Sequence, residues 1–154
     1  MTRLELEALQ ARFGFACGYC GTSETRAGAS LTVDHFQPTS RGGRDEEANW
    51  VYACFACNGF KGAFWNPLQD EFLLHPLRDD LSLHLREQND GTLLALSTRG
   101  QMHIERLHLN RPQLVAGRLQ QRVARERDEQ IAQLIEELQQ ATEELQTLRT
   151  QLDQ

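Results

Sequence analysis

LTVDHFQPTSRGGRDEEANWVYACFACNGFK, residues 31–61, is the stretch whose reading decides the fold. Leu31 to His35 reads as a short strand. Gln37 to Ala48, with Pro38, Gly42 and Gly43, is too polar and too rich in turn residues to be core. Trp50 to Ala53 reads as a second strand. Phe55 to Phe64 is expected to be helical and to stop before Asn66-Pro67, because the residue preceding proline is pushed out of the helical region. The local order is strand, loop, strand, helix. Neighbours in a regular strand point to opposite faces. Asp34 and His35 can therefore share one site only if the strand ends or bends there, and Phe36-Gln37-Pro38 supplies such an ending.

Cys54 and Cys57 lie at the end of this stretch, and a matching pair, Cys17-Gly18-Tyr19-Cys20, lies before it. Two C-x-x-C pairs offer four soft ligands for tetrahedral zinc, with Zn–S bonds of about 2.3 Å. Four unrelated buried thiols would not be spaced in this way. A closed four-thiolate site has no open coordination position, so such a metal folds the chain rather than catalysing. It would tie the tight turn F-A-C-G-Y-C-G-T, residues 15–22, to the start of the helix at Phe55.

Between and beside the pairs stand Asp34, His35, Asn49 and Asn58. Phosphodiester hydrolysis needs a nucleophilic water and positive charge where the leaving oxygen develops. A carboxylate and an amide oxygen are hard ligands suited to a magnesium-like ion that keeps several waters, and Asp34 and Asn58 offer that pair. His35 can take a proton from water near neutral pH. Asn58 and Lys61 are three apart on one helix face, which places Lys61 near a substrate phosphate. Taken singly, an Asp-His pair is usually surface and an Asn before a strand is usually a turn former. The conjunction is what carries meaning.

The pattern C-G-Y-C (17–20), V-D-H-F-Q-P (33–38), G-G (42–43), N-W (49–50) and C-F-A-C-N-G-F-K (54–61) resembles the HNH endonuclease family, whose fold is called ββα-metal. The resemblance covers about residues 13 to 65. It implies that Asp34 and Asn58 bind the catalytic divalent ion, that His35 is the general base, and that Asn49 holds the loop orienting His35. It also implies that Cys17, Cys20, Cys54 and Cys57 carry the structural zinc of the family's cysteine-bearing branch. The last motif position is Asn58 rather than histidine. An amide oxygen suits magnesium or manganese better than the softer transition metals. Residues 70–118, with F-L-L-H-P-L-R-D, S-L-H-L, G-T-L and L-H-L-N-R-P, resemble an extension of some bacterial HNH proteins. His75 and His84 are candidates there for a second site, weighed against orienting loops or packing; the packing reading is preferred because no further ligand pattern accompanies them.

Outward from the motif, Thr2 is placed to cap a helix from Arg3 to Arg12, and Glu24 to Ser30 reads as loop. Leu81 to Arg86 alternates like a strand, Asn89-Asp90-Gly91 signals a hairpin turn, and Thr92 to Ser97 pairs back. Thr98 is placed to cap a helix running to about Leu107, which carries His103. Asn110-Arg111-Pro112 starts another helix. Ile131, Leu134, Leu138, Ala141, Leu145, Leu148 and Leu152 step by three and four, an a/d seam of about three heptads. A stripe this narrow predicts a coiled coil and a homodimer rather than packing on the chain's own domain. Arg118, Arg122 and Arg125 share a helix face that can follow a phosphate backbone or simply be solvated.

The net charge is −6, which disfavours a strongly basic nucleic-acid binder. The excess is uneven: residues 1–66 hold six basic and seven acidic side chains, whereas 113–154 hold five and eight. Local charge, not the total, meets a phosphate backbone. No run of about 18 apolar residues predicts a membrane span. The start, MTRLELEALQ, has no apolar signal core, so a cytoplasmic protein is expected. Together these readings predict an α+β chain: an HNH zinc core over 1–66, a hairpin and helix over 67–111, and a long helix over 112–154. The expected function is metal-dependent endonucleolysis of nucleic acid, double-stranded DNA foremost, with structural zinc and catalytic Mg2+ or Mn2+. The competing readings are a non-catalytic zinc-knuckle module that binds nucleic acid or protein, and an assembly protein built on the coiled coil.

Overall fold

The computed structural model describes residues 2–66 and 73–152. The chain forms two compact units, Met1–Val115 and Ala116–Gln154. The helix stop expected at Asn66-Pro67 and the start of the 70–118 resemblance fall partly on residues 67–72, outside the described ones.

The first unit begins with α1 (Arg3–Arg12), whose Thr2 side chain accepts from Glu5 N while Glu5 reaches back to the Thr2 backbone, a capping box. The stretch 24–30, expected to be loop, contains a one-turn helix α2 (Glu24–Ala27) capped by Ser23. β1 (Thr32–His35) pairs antiparallel with β2 (Trp50–Ala53), with Asp34 opposite Val51 and His35 opposite Trp50. α3 (Phe55–Lys61) follows directly, and Cys54 caps it by accepting from the Cys57 amide at 3.4 Å. The ββα core is thus present.

β2 is buried along its whole length because both of its faces are covered. Trp50 and Tyr52 pack with Leu9 of α1. Val51 and Ala53 join Cys17, Cys57, Ile104 and Leu107 in the larger core. That second face is closed by residues C-terminal to the motif, so the region after residue 73 packs into the same core.

α3 ends at Lys61, three residues before the expected stop. Gly62 takes φ +51° and ψ −140°, a conformation that glycine adopts without penalty and that no helix continues through. The Leu81–Arg86 strand is also shorter than expected. Residues Leu81–Leu83 form a 3-10 turn, because the Asp80 side chain accepts from the Ser82 amide and offers the backbone a local alternative to a ladder. What remains is a small hairpin, β3 (Leu85–Glu87) against β4 (Leu93–Ala95). Ser97, rather than Thr98, caps α4 (Thr98–Arg106). α5 (Pro112–Leu152) then runs to the end of the described chain.

In the second unit Ile131, Leu134, Leu138, Leu145, Leu148 and Leu152 are all exposed, from 48% to 86%. No helix among the described residues is long and apolar enough to cross a membrane.

Candidate functional site

The turn after α1 and the start of α3 bring four sulfurs together. All four Sγ atoms of Cys17, Cys20, Cys54 and Cys57 lie within 4.8 Å of one another, and Cys20 and Cys54 are 3.8 Å apart. A tetrahedron with 2.3 Å Zn–S bonds has S···S edges of about 3.8 Å. Thiols this close cannot all ionise without a cation. Hydrogen bonds within the cluster hold Cys20 and Cys54 below the ordinary thiol range and lift Cys17 and Cys57 above it. A divalent ion would remove that conflict. The donor set fits zinc, and three of the four cysteines are buried. Arg111 Nη2 lies 3.8 Å from Cys57 Sγ, adding positive charge beside a site that would carry four thiolates.

Asp34 lies inside the fold, 6% exposed. Tyr19 Oη, carried on the Cys17–Cys20 turn, donates to its Oδ2 at 2.6 Å, and Lys61 Nζ donates to its Oδ1 at 2.9 Å. The same ammonium donates to the His35 carbonyl at 2.7 Å. Burial raises the Asp34 carboxyl above its ordinary value and lowers the Lys61 ammonium, while their mutual attraction works the other way in both. Lys61, expected beside a substrate phosphate, has a side chain only 1% exposed and forms an ion pair with Asp34.

His35 closes β1. Its Nε2 is 2.8 Å from Asp45 Oδ1, in the loop joining the two strands. The indole Nε1 of Trp50, its cross-strand neighbour, donates to the same oxygen at 2.7 Å. His35 keeps 30% of its side chain exposed.

Asn49 braces the loop. Its Oδ1 accepts from Gln37 N at 2.8 Å, and its Nδ2 donates to Gln37 O at 2.9 Å and to Arg44 O at 2.8 Å. The Asn49 carbonyl accepts from Phe36 N. Gly43 fits beneath this brace because a Cβ there would fall 1.9 Å from the Gln37 carbonyl oxygen. Asn58, on the first turn of α3, is half-buried. The side chains of Asp34, His35 and Asn58 are not hydrogen-bonded to one another. Lys61 joins the Asp34 carboxylate to the backbone carbonyl of His35.

The other histidines divide. His103 is 1% exposed and accepts from Leu74 N at 3.1 Å, a partner not visible in the sequence. His75 accepts from Leu77 N at 3.2 Å and packs edge-on against Phe36, with ring centroids 4.6 Å apart. Its Nε2 is the buried polar atom without a partner among the described residues. Burial lowers both rings to about 4. His84 Nδ1 is 2.6 Å from Ser97 Oγ, at the α4 cap. His108 stacks on Phe60. His75 and His84 are not brought together by any hydrogen bond, and each serves its own turn.

Asp45 and Tyr19 are the two residues of this site that sequence reasoning missed. A buried indole seeks an acceptor, so Trp50 pointed to one of the acids at 45–47 without saying which. Nothing in the sequence pointed Tyr19 at Asp34.

Compared with curated proteins and with solved structures, the chain matches none. Compared with known families, residues 17–64 match HNH endonuclease. That span begins at the first zinc-ligand candidate and takes in both strands and the helix. It is the region where the sulfur cluster, Asp34, His35, Asn49 and Asn58 are assembled, so residues 17–64 of this chain are an HNH endonuclease family domain with a cysteine cluster able to coordinate a metal.

Proposed function

We propose that this chain is a metal-dependent endonuclease that hydrolyses phosphodiester bonds in nucleic acid, double-stranded DNA in the first instance, in the cytoplasm. The observation that carries the reading is the His35 imidazole: partly open, bound through one nitrogen to Asp45, and standing at the end of β1 in an HNH core.

In this reading zinc on the four cysteines fixes the core. Asp34 and Asn58 hold Mg2+ or Mn2+. An ionised carboxylate has about four lone-pair sites, and Tyr19 and Lys61 take two of those on Asp34. The divalent ion, when bound, supplies positive charge to the phosphate and to the leaving oxygen. His35 accepts a proton from water as the water oxygen bonds to phosphorus. The bond from phosphorus to O3′ breaks, its electron pair goes to O3′, and that oxygen takes a proton from solvent. Asn49 holds the loop that places His35. Lys61 compensates the Asp34 charge inside the fold.

The second unit pairs with a second copy through its exposed a/d seam. A dimer would add contacts to a motif region whose own charge is nearly balanced.

The test is nicking of supercoiled plasmid in Mg2+ or Mn2+ by the zinc-loaded chain. His35→Ala is expected to abolish nicking while zinc content and melting temperature stay unchanged. Nicking that survives the change removes His35 as the base. One observation favours the non-catalytic zinc-module reading: both Asp34 oxygens already have internal partners. That reading prevails if the wild-type chain binds DNA but cuts nothing in either ion.

A further inference from the structure

We propose that Asp45 is a positioning residue that holds His35 in the tautomer protonated at Nε2, leaving Nδ1 as the atom that takes the proton from water. The inference rests on the endonuclease reading for its consequence, but not for its geometry.

Asp45 Oδ1 lies 2.8 Å from His35 Nε2. An ionised carboxylate can only accept hydrogen bonds. The hydrogen in this contact therefore belongs to the imidazole, and a neutral ring carries it on Nε2. The other nitrogen is then a lone-pair acceptor. Two further contacts fix the carboxylate itself. Trp50 Nε1 donates to the same oxygen at 2.7 Å, and Trp50 is 5% exposed and locked in the core beside α1. Asn49 Nδ2 donates to the carbonyl of Arg44, the residue preceding Asp45, at 2.8 Å. The chain of support runs from Asn49 through the Arg44–Asp45 backbone to the imidazole. This gives Asn49 a concrete way to orient His35 that the loop brace alone does not.

The proton balance is simple. Water gives one proton to Nδ1, and the ring becomes an imidazolium with both nitrogens protonated. Asp45 then faces a cation rather than a neutral donor, which stabilises the charge as it forms.

The experiment uses the full-length, zinc-loaded chain. Two-bond 1H–15N correlation spectra at a pH where His35 is neutral read the tautomer directly, without any turnover. The wild-type chain is expected to show protonated Nε2 and unprotonated Nδ1. Asp45→Ala is expected to give the exchanging mixture of an unrestrained imidazole, and Asp45→Asn, which keeps an acceptor oxygen, to retain the Nε2–H form. In the nicking assay Asp45→Ala is expected to lower kcat about tenfold or more with KM nearly unchanged, and Asp45→Asn to recover part of it. Protonated Nδ1 in the wild type, or an unchanged tautomer and kcat in Asp45→Ala, overturns the proposal. If the tautomer behaves as expected while the wild type cuts nothing, the positioning role stands and the endonuclease reading falls.

Discussion

The ammonium of Lys61 sits 2.9 Å from the Asp34 carboxylate with both side chains inside the fold, joining α3 to β1 by a buried ion pair. Taking two charges out of water is costly, and the pair holds only while both members are present. Lys61→Met strands a buried carboxylate. It is expected to cost about 3–5 kcal/mol in denaturant unfolding at saturating zinc. The double change Lys61→Met with Asp34→Asn is expected to recover most of that loss, because it removes the uncompensated charge as well as its partner. A double variant no more stable than the single one would show that Lys61 works by packing instead.

Much of this arrangement was legible in the sequence, and the limits were physical. The ββα order followed from patterning that runs strand, polar loop, strand, helix over 31–61, and the structure has it. The cysteine pairs converged because C-x-x-C spacing leaves few other geometries for four thiolates. What a linear pattern could not show was where long side chains turn. Lys61 was placed on the correct helix, but its burial depends on a carboxylate 27 positions earlier. Asp45 sits among three consecutive acids, and only the Trp50 indole, brought alongside by strand pairing, singles it out. The false strand at Leu81–Leu83 had perfect alternation, and the Asp80 carboxylate, accepting from both the amide and the hydroxyl of Ser82, overrode it.

Zinc is expected to be a folding ligand for the first unit. Ligation by four thiolates supplies apparent free energies of about 10–16 kcal/mol in small zinc domains, comparable to or larger than the total stability of an ordinary domain. Cys54 contributes twice, through the cluster and through its cap on the Cys57 amide. Cys54→Ser is expected to lose zinc by elemental mass spectrometry and to expose Trp50 to solvent in fluorescence. Chelation of the wild type is expected to do the same. A zinc-free variant with native fluorescence and melting would remove the cluster's structural role.

The two buried histidines predict a loss of stability on acidification. Burial lowers His75 and His103 to about 4, against about 6.5 in the unfolded chain. The unfolded state therefore binds more protons between those values. The stability these rings allow is complete above about pH 6.5 and is lost as pH falls towards 4, by up to about 1.4 kcal/mol per pH unit for each group. Protons also compete with zinc for the thiolates, so the informative quantity is a difference. His103→Asn keeps an acceptor for Leu74 N but cannot titrate. Its melting temperature is expected to fall less steeply than that of the wild type over this window, at saturating zinc. Parallel curves would show that His103 titrates normally in the folded chain.

The second unit predicts self-association of defined orientation. Leu138 and Leu145 are each 67% exposed on the a/d seam of α5. Stripping that seam from water is the main free energy a second copy offers. Charge selects the direction. In a parallel pair Glu144 at a g position meets Arg149 at the following e position of the other copy. In an antiparallel pair centred near Ala141, Glu137 instead meets Glu144, a like-charge contact. Sedimentation of the full chain is expected to show a dimer at micromolar concentrations. Leu138→Lys with Leu145→Lys is expected to leave a monomer with unchanged zinc content. Arg149→Glu is expected to weaken the parallel dimer and to be offset by Glu144→Lys in the same chain. A monomeric wild type at high concentration would show that the seam has another occupant, and a dimer indifferent to both charge changes would exclude the parallel register.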